Sequence, residues 1–419
     1  MDIQTTISDL AARAKEASRT MNSVDGARKA AGLTRLAELL DSERQAVKAA
    51  NARDLEAARA RGMDSARLDR LALTDAVIDS MVQACNEVAQ LPDPVGSIES
   101  MEKRPNNMLV GRMRIPLGVV AMIYESRPNV TIDAGILCVM AGNAIILRGG
   151  SEAFHSNQFL ADLFSRALEE SGLPAATVQL VPTTDRAAVQ AMLKLDQYID
   201  VVIPRGGEGL IKAVVADATM PVLKHYKGVC HTYVDQGADL DQALDIVHNA
   251  KVQRPGVCNA LECLLVHVGE ATEFLPRVAE RLGKDGVSFR ACPSSLPLLG
   301  DAAVEADESD WGQEFHDLIL AVKVVASQEE AQEHIAAFGS NHSEAILTND
   351  HSRAMRFLRE VDASLVLVNA STRFNDGGML GLGAEIGIST SKLHAYGPMG
   401  VKELTSTKFV LLGQGQIRA

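Results

Sequence analysis

The decapeptide QRPGVCNALE, residues 253–262, sets Cys258 behind Gly256 and Val257 and four residues after Arg254. A nearby guanidinium favours the thiolate, which is the nucleophilic form of cysteine. Gly256 leaves the backbone room to bend, exposing a sulfur and an adjacent N–H that could receive an oxyanion. Such a group would carry out acyl transfer through a thioester. The competing reading is a small buried hydrophobe, which is what most free cysteines are, and Cys138 and Cys263 inside apolar runs are read that way. Two more stretches could do chemistry: RGGSEA at 148–153 and PRGGEGLI at 204–211. Each joins an arginine, Arg148 or Arg205, to paired glycines and an expected helix start, a combination suited to phosphate. Neither is a complete G-x-G-x-x-G fingerprint. Their occurrence twice in one sheet, each with an arginine, points to a nucleotide phosphate site.

Positioning these residues requires a particular scaffold. The first hundred residues have apolar positions at three- and four-residue spacing and read as helices. After them come short β-branched runs ending in Gly or Pro: GVVAMIY, NAIILRGG, TVQLVP and YIDVVIPRGG. Helical segments such as EAFHSNQFLADLFSRALEESG lie between them. After Cys258 the alternation resumes with ECLLVHV, LILAVKVV, EAILTND and ASLVLVNAS. This rhythm predicts parallel sheets covered by helices, in two α/β lobes that meet around residues 225–255, with Cys258 near the junction. TSTKFVLLGQGQ reads as a strand leaving the body of the second lobe.

The 419 residues exceed what one core usually serves, so more than one domain is expected. A net charge of −13 argues against non-specific nucleic-acid or acidic-membrane binding, although local arginines can still hold an anionic substrate. No stretch has the length of an apolar membrane span, and the amino-terminal segment, with Asp2 and no apolar centre, does not read as a signal peptide. Six cysteines without a Cys-x-x-Cys pair disfavour a disulfide framework or a zinc site, so no metal is expected and a reducing cytoplasm fits.

PLGVVAMIYESRPNVTIDAGILCVMAGNAIILRGG, QRPGVCNALE, EFHDLILAVKVV and GGMLGLGAEIGISTSKLHAYGPMGVKELTSTKFVL, in that order, resemble the aldehyde dehydrogenase superfamily. The resemblance implies two Rossmann-like α/β lobes plus a small β oligomerisation arm. The dinucleotide-binding domain would be 1–106 and 117–227, the catalytic domain 228–398, and the arm 107–116 and 399–419. It also implies that Cys258 is the nucleophile, that Asn129 helps hold the oxyanion, that Glu314 holds the nicotinamide ribose, and that Gly206 and Gly207 lie near the pyrophosphate. Arg148 stands where the family has a ribose-binding Lys, and its fork suits a 2′-phosphate, hence NADPH. Arg127 and Arg254 are candidates for the substrate's phosphate or carboxylate. Counting from Gly118 puts the family's Asn on Arg127, and counting back from Gly142 allows Asn129, which alone has the right donor.

YESRPNVT, LKHYKGVCHTYVD and RFNDGGMLGLGAEIGISTSKLHAYGPMG resemble the branch that acts on L-glutamyl 5-phosphate in proline biosynthesis. In LKHYKG, Leu223 stands where hydrolytic members carry a water-activating Glu, and no acidic residue lies between Asp217 and Asp235. The resemblance therefore implies a thioester exchanged with phosphate rather than hydrolysed, a homo-oligomer, and glutamate 5-kinase as a possible partner. Two alternatives stay open: a CoA-dependent acylating dehydrogenase of the same fold, and a silent scaffold that binds such a kinase.

Overall fold

The computed structural model describes residues 2–418. The chain forms two compact units. One comprises residues 1–224, 381–387 and 399–419, and the other comprises 225–380 and 388–398. Unit boundaries differ from the expected ones: residues 225–227 fall in the second unit, residues 381–387 in the first, and the segments expected as a separate arm cluster with the first unit.

The first unit opens with five helices, Ile3–Met21, Gly26–Ser42, Arg44–Ala60, Ser65–Leu71 and Asp75–Ala89. Asp25, Asp64 and Thr74 cap three of them by accepting backbone N–H groups three residues on. Four parallel strands follow, in spatial order Val178–Leu180, Ala144–Arg148, Val119–Tyr124 and Val201–Arg205. Both faces of this sheet are covered, so its strands are continuous apolar runs rather than alternating ones. Helix Val130–Met140 is buried almost all round, between the sheet and the helices Gly26–Ser42, Asp75–Ala89 and Phe154–Glu170. The start of Phe154–Glu170 has no capping side chain of its own. Buried Asp54, on an earlier helix, supplies the acceptor to His155 and Ser156 N–H at 3.1 and 2.7 Å.

A separate antiparallel sheet in the same unit orders Ile98–Lys103, Leu109–Pro116 and Thr405–Leu412. The arm thus takes in a strand at 98–103 that the sequence reading left with the helices. IESMEK is exposed at every position, so no apolar alternation marks it.

The second unit is built on seven parallel strands in the order Ala303–Glu305, Ser288–Ala291, Ile319–Val325, Leu261–His267, Cys230–Val234, Ser343–Leu347 and Leu365–Val368. Successive side chains face opposite sides. Val234, Leu264 and Val266 pack with the helices Leu240–Val252 and Val268–Gly283, whereas Tyr233, Cys263 and Leu265 pack with Gln328–Phe338 and His351–Glu360. The parallel α/β fold expected from the alternating runs is present in both units. The second sheet, however, begins with Cys230–Val234, before Cys258, so the cysteine lies well inside this unit along the chain.

Candidate active site

Cys258 occupies the short loop between helix Leu240–Val252 and strand Leu261–His267. Among the described residues it is the one cysteine that is not buried. The loop bends without any residue at positive φ. Its two ends are clamped by the helix's Lys251 and the strand's Glu262, whose Nζ and Oε2 are 2.7 Å apart with both side chains buried. Burial raises Glu262 to about 7 against the pull of Lys251, and burial likewise lowers Lys251. Removing two charges from water is costly, so this pair fixes geometry more than it adds stability.

Three hydrogen bonds hold the cysteine and the residue after it. The Cys230 thiol donates to Cys258 O at 3.2 Å, and burial keeps that thiol protonated by raising its pKa. Thr372 Oγ1 donates to Asn259 O at 2.8 Å, and Asn259 Nδ2 donates to Asn375 O at 3.0 Å. Gly228 packs directly on the cysteine. A β-carbon there would lie 2.7 Å from Cys258 Cα and nearer still to its carbonyl oxygen.

Glu314 joins this group through the same glycine, whose backbone N–H helps lower the carboxyl pKa. Burial pushes the Glu314 pKa up, but His316 at 3.2 Å and the Gly228 N–H outweigh it and hold the group ionised. Glu262 accepts from His316 N at 3.4 Å, tying the loop of Glu314 to the clamp of the cysteine. Arg254 is exposed on the cysteine loop. The second unit therefore gathers Cys258, Arg254 and Glu314, all at the amino ends of its strands. His231 and His394 are not part of this group. His231 is buried against Glu344 at 3.0 Å, and His394 is exposed.

The first unit gathers the other candidates at the carboxyl ends of its strands, where open parallel sheets bind ligands. Arg127 and Asn129 lie on the segment joining strand Val119–Tyr124 to helix Val130–Met140. Asn129 Nδ2 donates to Asp133 Oδ2 at 2.8 Å. Burial raises Asp133 to about 6, opposed by Asn129 and by the charges of Arg205 and Arg127. Asp133 thus orients the Asn129 amide, a role that nothing in the sequence announced beyond its i+4 spacing on a helix start.

Arg148 is half-buried. Nη1 donates to Gly149 O at 2.9 Å, Nη2 donates to Thr184 O at 2.8 Å, and Nε is buried without a partner in the fold. Burial lowers its pKa, and the charges of Arg186 and Glu125 act on it. A β-carbon at Gly149, Gly150 or Gly206 would strike Asn157, Glu152 or Glu125 respectively, whereas Gly207 stands in open space. These glycines and the orphaned guanidinium N–H fit a nucleotide cradle. One feature opposes it: Glu125 Oε2 accepts the Gly207 N–H at 3.1 Å, so a phosphate there requires that carboxylate to swing away. Glu125, Asp133, Gly228 and Lys251 were all missed by sequence reasoning: Glu125, Gly228 and Lys251 act through residues 11 or more positions away, and Asp133 through an ordinary i+4 pair that carries no signal of its own. Leu223 is buried and its N–H donates to Val202 O at 3.0 Å, as a core residue.

Residues 3–287 match the aldehyde dehydrogenase family. The sequence is 67% identical over 418 residues to a gamma-glutamyl phosphate reductase of Solidesulfovibrio magneticus, covering 100% of both chains. It is 65% identical, with the same coverage, to that of Oleidesulfovibrio alaskensis. The crystal structure of gamma-glutamyl phosphate reductase from Thermotoga maritima matches with a TM-score of 0.95 and 46% identity, covering 99% of this chain and 100% of that one. An acetylating aldehyde dehydrogenase from Geobacillus thermoglucosidasius shares the fold, with a TM-score of 0.73 and 18% identity over 100% of both chains.

Proposed function

This chain belongs to the aldehyde dehydrogenase family, and from that premise we propose that it reduces L-glutamyl 5-phosphate to L-glutamate 5-semialdehyde, releasing phosphate, in proline biosynthesis. The observation that carries the mechanism is Cys258: a partly exposed residue on a loop fixed at both ends, four residues after an arginine, where the other described cysteines are buried.

The Cys258 thiolate attacks the acyl carbon, and the tetrahedral oxyanion is met by the Cys258 N–H; the family resemblance assigns the second donor to the Asn129 amide. One such donor contributes about 3 kcal/mol to the transition state. Collapse expels phosphate and leaves the acyl group on sulfur. A bound nicotinamide supplies hydride. Glu314 would hold its ribose, Gly206 and Gly207 its pyrophosphate, and Arg148 a 2′-phosphate, which favours NADPH over NADH. With hydride delivered, the Cys258 thiohemiacetal collapses to the semialdehyde and returns the thiolate. Leu223 offers no base to activate water, which supports phosphate as the partner that exchanges with the thioester.

The arm is read as an oligomerisation surface: Phe409, Leu411 and Leu412 are exposed on its last strand. Among the described residues no helix is long and apolar enough to cross a membrane. A cytoplasmic homo-oligomer, receiving its labile acyl phosphate from glutamate 5-kinase, is consistent with this reading.

The test is the reverse reaction. Wild-type protein should reduce NADP with glutamate semialdehyde only when inorganic phosphate is present, and Cys258→Ala should abolish both turnover and labelling by a thiol reagent. Turnover that needs CoA instead of phosphate, or that survives Cys258→Ala, refutes the reading.

A further inference from the structure

The turn that braces the cysteine loop carries a cation with no role in the mechanism above. Thr372–Phe374 forms a single 3-10 turn capped by Ser371, whose Oγ accepts the Arg373 N–H at 3.3 Å. Asn259, the residue after the nucleophile, donates its Nδ2 to Arg373 O at 3.3 Å. The Arg373 side chain reaches the other end of the same loop, where Nε donates to Gln253 Oε1 at 2.8 Å. Arg373 is thus tied to both ends of the segment that presents Cys258. Its guanidinium is half-buried, and among the described residues neither it nor Arg254 takes part in an ion pair.

This arrangement is unfavourable on its own. Burial lowers the Arg373 pKa, and the charge of Arg254 lowers it further, while Asp376 and the thiols of Cys258 and Cys230 act the other way. Two guanidinium groups near one thiol, neither in contact with a carboxylate, offer a site for an anion that can engage both. A dianion suits two cations better than a single carboxylate does. On the proposed substrate the phosphoryl group is bonded through one oxygen to the carbon that the sulfur attacks. The α-carboxylate lies beyond three intervening carbons.

We propose that Arg373, together with Arg254, binds the phosphate of the acyl phosphate, and inorganic phosphate in the reverse direction, so that it determines the choice of phosphate as leaving group. This rests on the reading of Cys258 as the nucleophile. It assigns to Arg373 a direct contact with substrate and to its turn the positioning of that contact.

The experiment measures phosphate saturation of NADP reduction for wild type, Arg373→Lys and Arg373→Gln, all as full chains. Arg373→Gln should raise KM for phosphate on the order of tenfold or more, with a smaller rise for Arg373→Lys, while KM for glutamate semialdehyde changes by less than about twofold. A rise confined to the semialdehyde KM would assign Arg373 to the α-carboxylate and overturn the proposal, as would an unchanged phosphate KM. A second arm needs no turnover: phosphate should slow alkylation of Cys258 by iodoacetamide in wild type and not in Arg373→Gln. Protection that persists in the variant overturns the proposal. If wild type lacks phosphate-dependent turnover, the functional reading fails, and the alkylation arm still decides whether Arg373 holds phosphate. Should Arg373→Gln not fold, Arg373→Lys carries both comparisons.

Discussion

Replacing Gly228 by alanine places a methyl group against the backbone of the nucleophile. The new carbon would lie 2.7 Å from both Cα and C of Cys258 and closer to its carbonyl oxygen, whereas ordinary contact begins at 3.4 Å. Neither side can yield cheaply. Gly228 leads into the buried strand Cys230–Val234, and Cys258 is held by Cys230, Asn259 and the Lys251–Glu262 clamp. Relief therefore needs a backbone shift of about 1 Å, and a misplacement of that size costs roughly a hundredfold in rate. Overpacking should also cost about 1–3 kcal/mol of stability. The assay is kcat/KM for phosphate-dependent NADP reduction, alongside thermal unfolding, with Gly283→Ala as control. Gly283 ends helix Val268–Gly283 and has nothing within 4 Å of its added carbon, so that variant should match wild type in rate. A folded Gly228→Ala protein with wild-type kcat/KM would show that this contact does not set the position of the sulfur.

Lys251→Met should destabilise the protein by about 3–5 kcal/mol at neutral pH, because it leaves Glu262 buried without its partner. Adding Glu262→Leu should recover most of that loss in chemical denaturation. His334 is held neutral, its pKa lowered to about 3 chiefly by burial and then by the charges of His231 and Lys323. The stability this provides is fully present above the ordinary value of 6.5 and is lost as pH falls from there towards 3. His334→Gln should flatten the denaturation midpoint over that window. Asp133→Ala, which frees the Asn129 amide, should lower kcat about tenfold and remove an inflection near pH 6 from the kcat profile. An unchanged profile would separate Asp133 from the chemistry.

Much of the scaffold could be read from the chain because parallel strands covered on both faces become uninterrupted apolar runs. VVAMIY and LECLLVH are of this kind. The strand Cys230–Val234 escaped because His231 and Thr232 interrupt its apolar run. Both are buried, and His231 is matched by Glu344, 113 residues away, which no local pattern reveals. The same limit applies to the site. Cys258 and the Arg-Gly turns carry their chemistry in their own residue types and spacing. Gly228 and Arg373 act only through a partner brought near by folding, whereas Asp133 acts on Asn129 one helical turn away. Glu125 is subtler, for its contact with Gly207 runs against the local expectation that the turn's N–H groups are free for phosphate.

The buried clamp beneath the cysteine loop has a consequence for how activity is lost. Lys251 and Glu262 can separate only if helix Leu240–Val252 lifts from strand Leu261–His267, and that strand is in the interior of the seven-stranded sheet. The reactive loop has no low-energy opening of its own. Its amide protons next to the strand should exchange with solvent only when the sheet opens. Inactivation by denaturant should therefore coincide with loss of tertiary structure instead of preceding it, and a variant destabilised at a site remote from this loop should lose catalysis by emptying its folded population while each folded molecule stays competent.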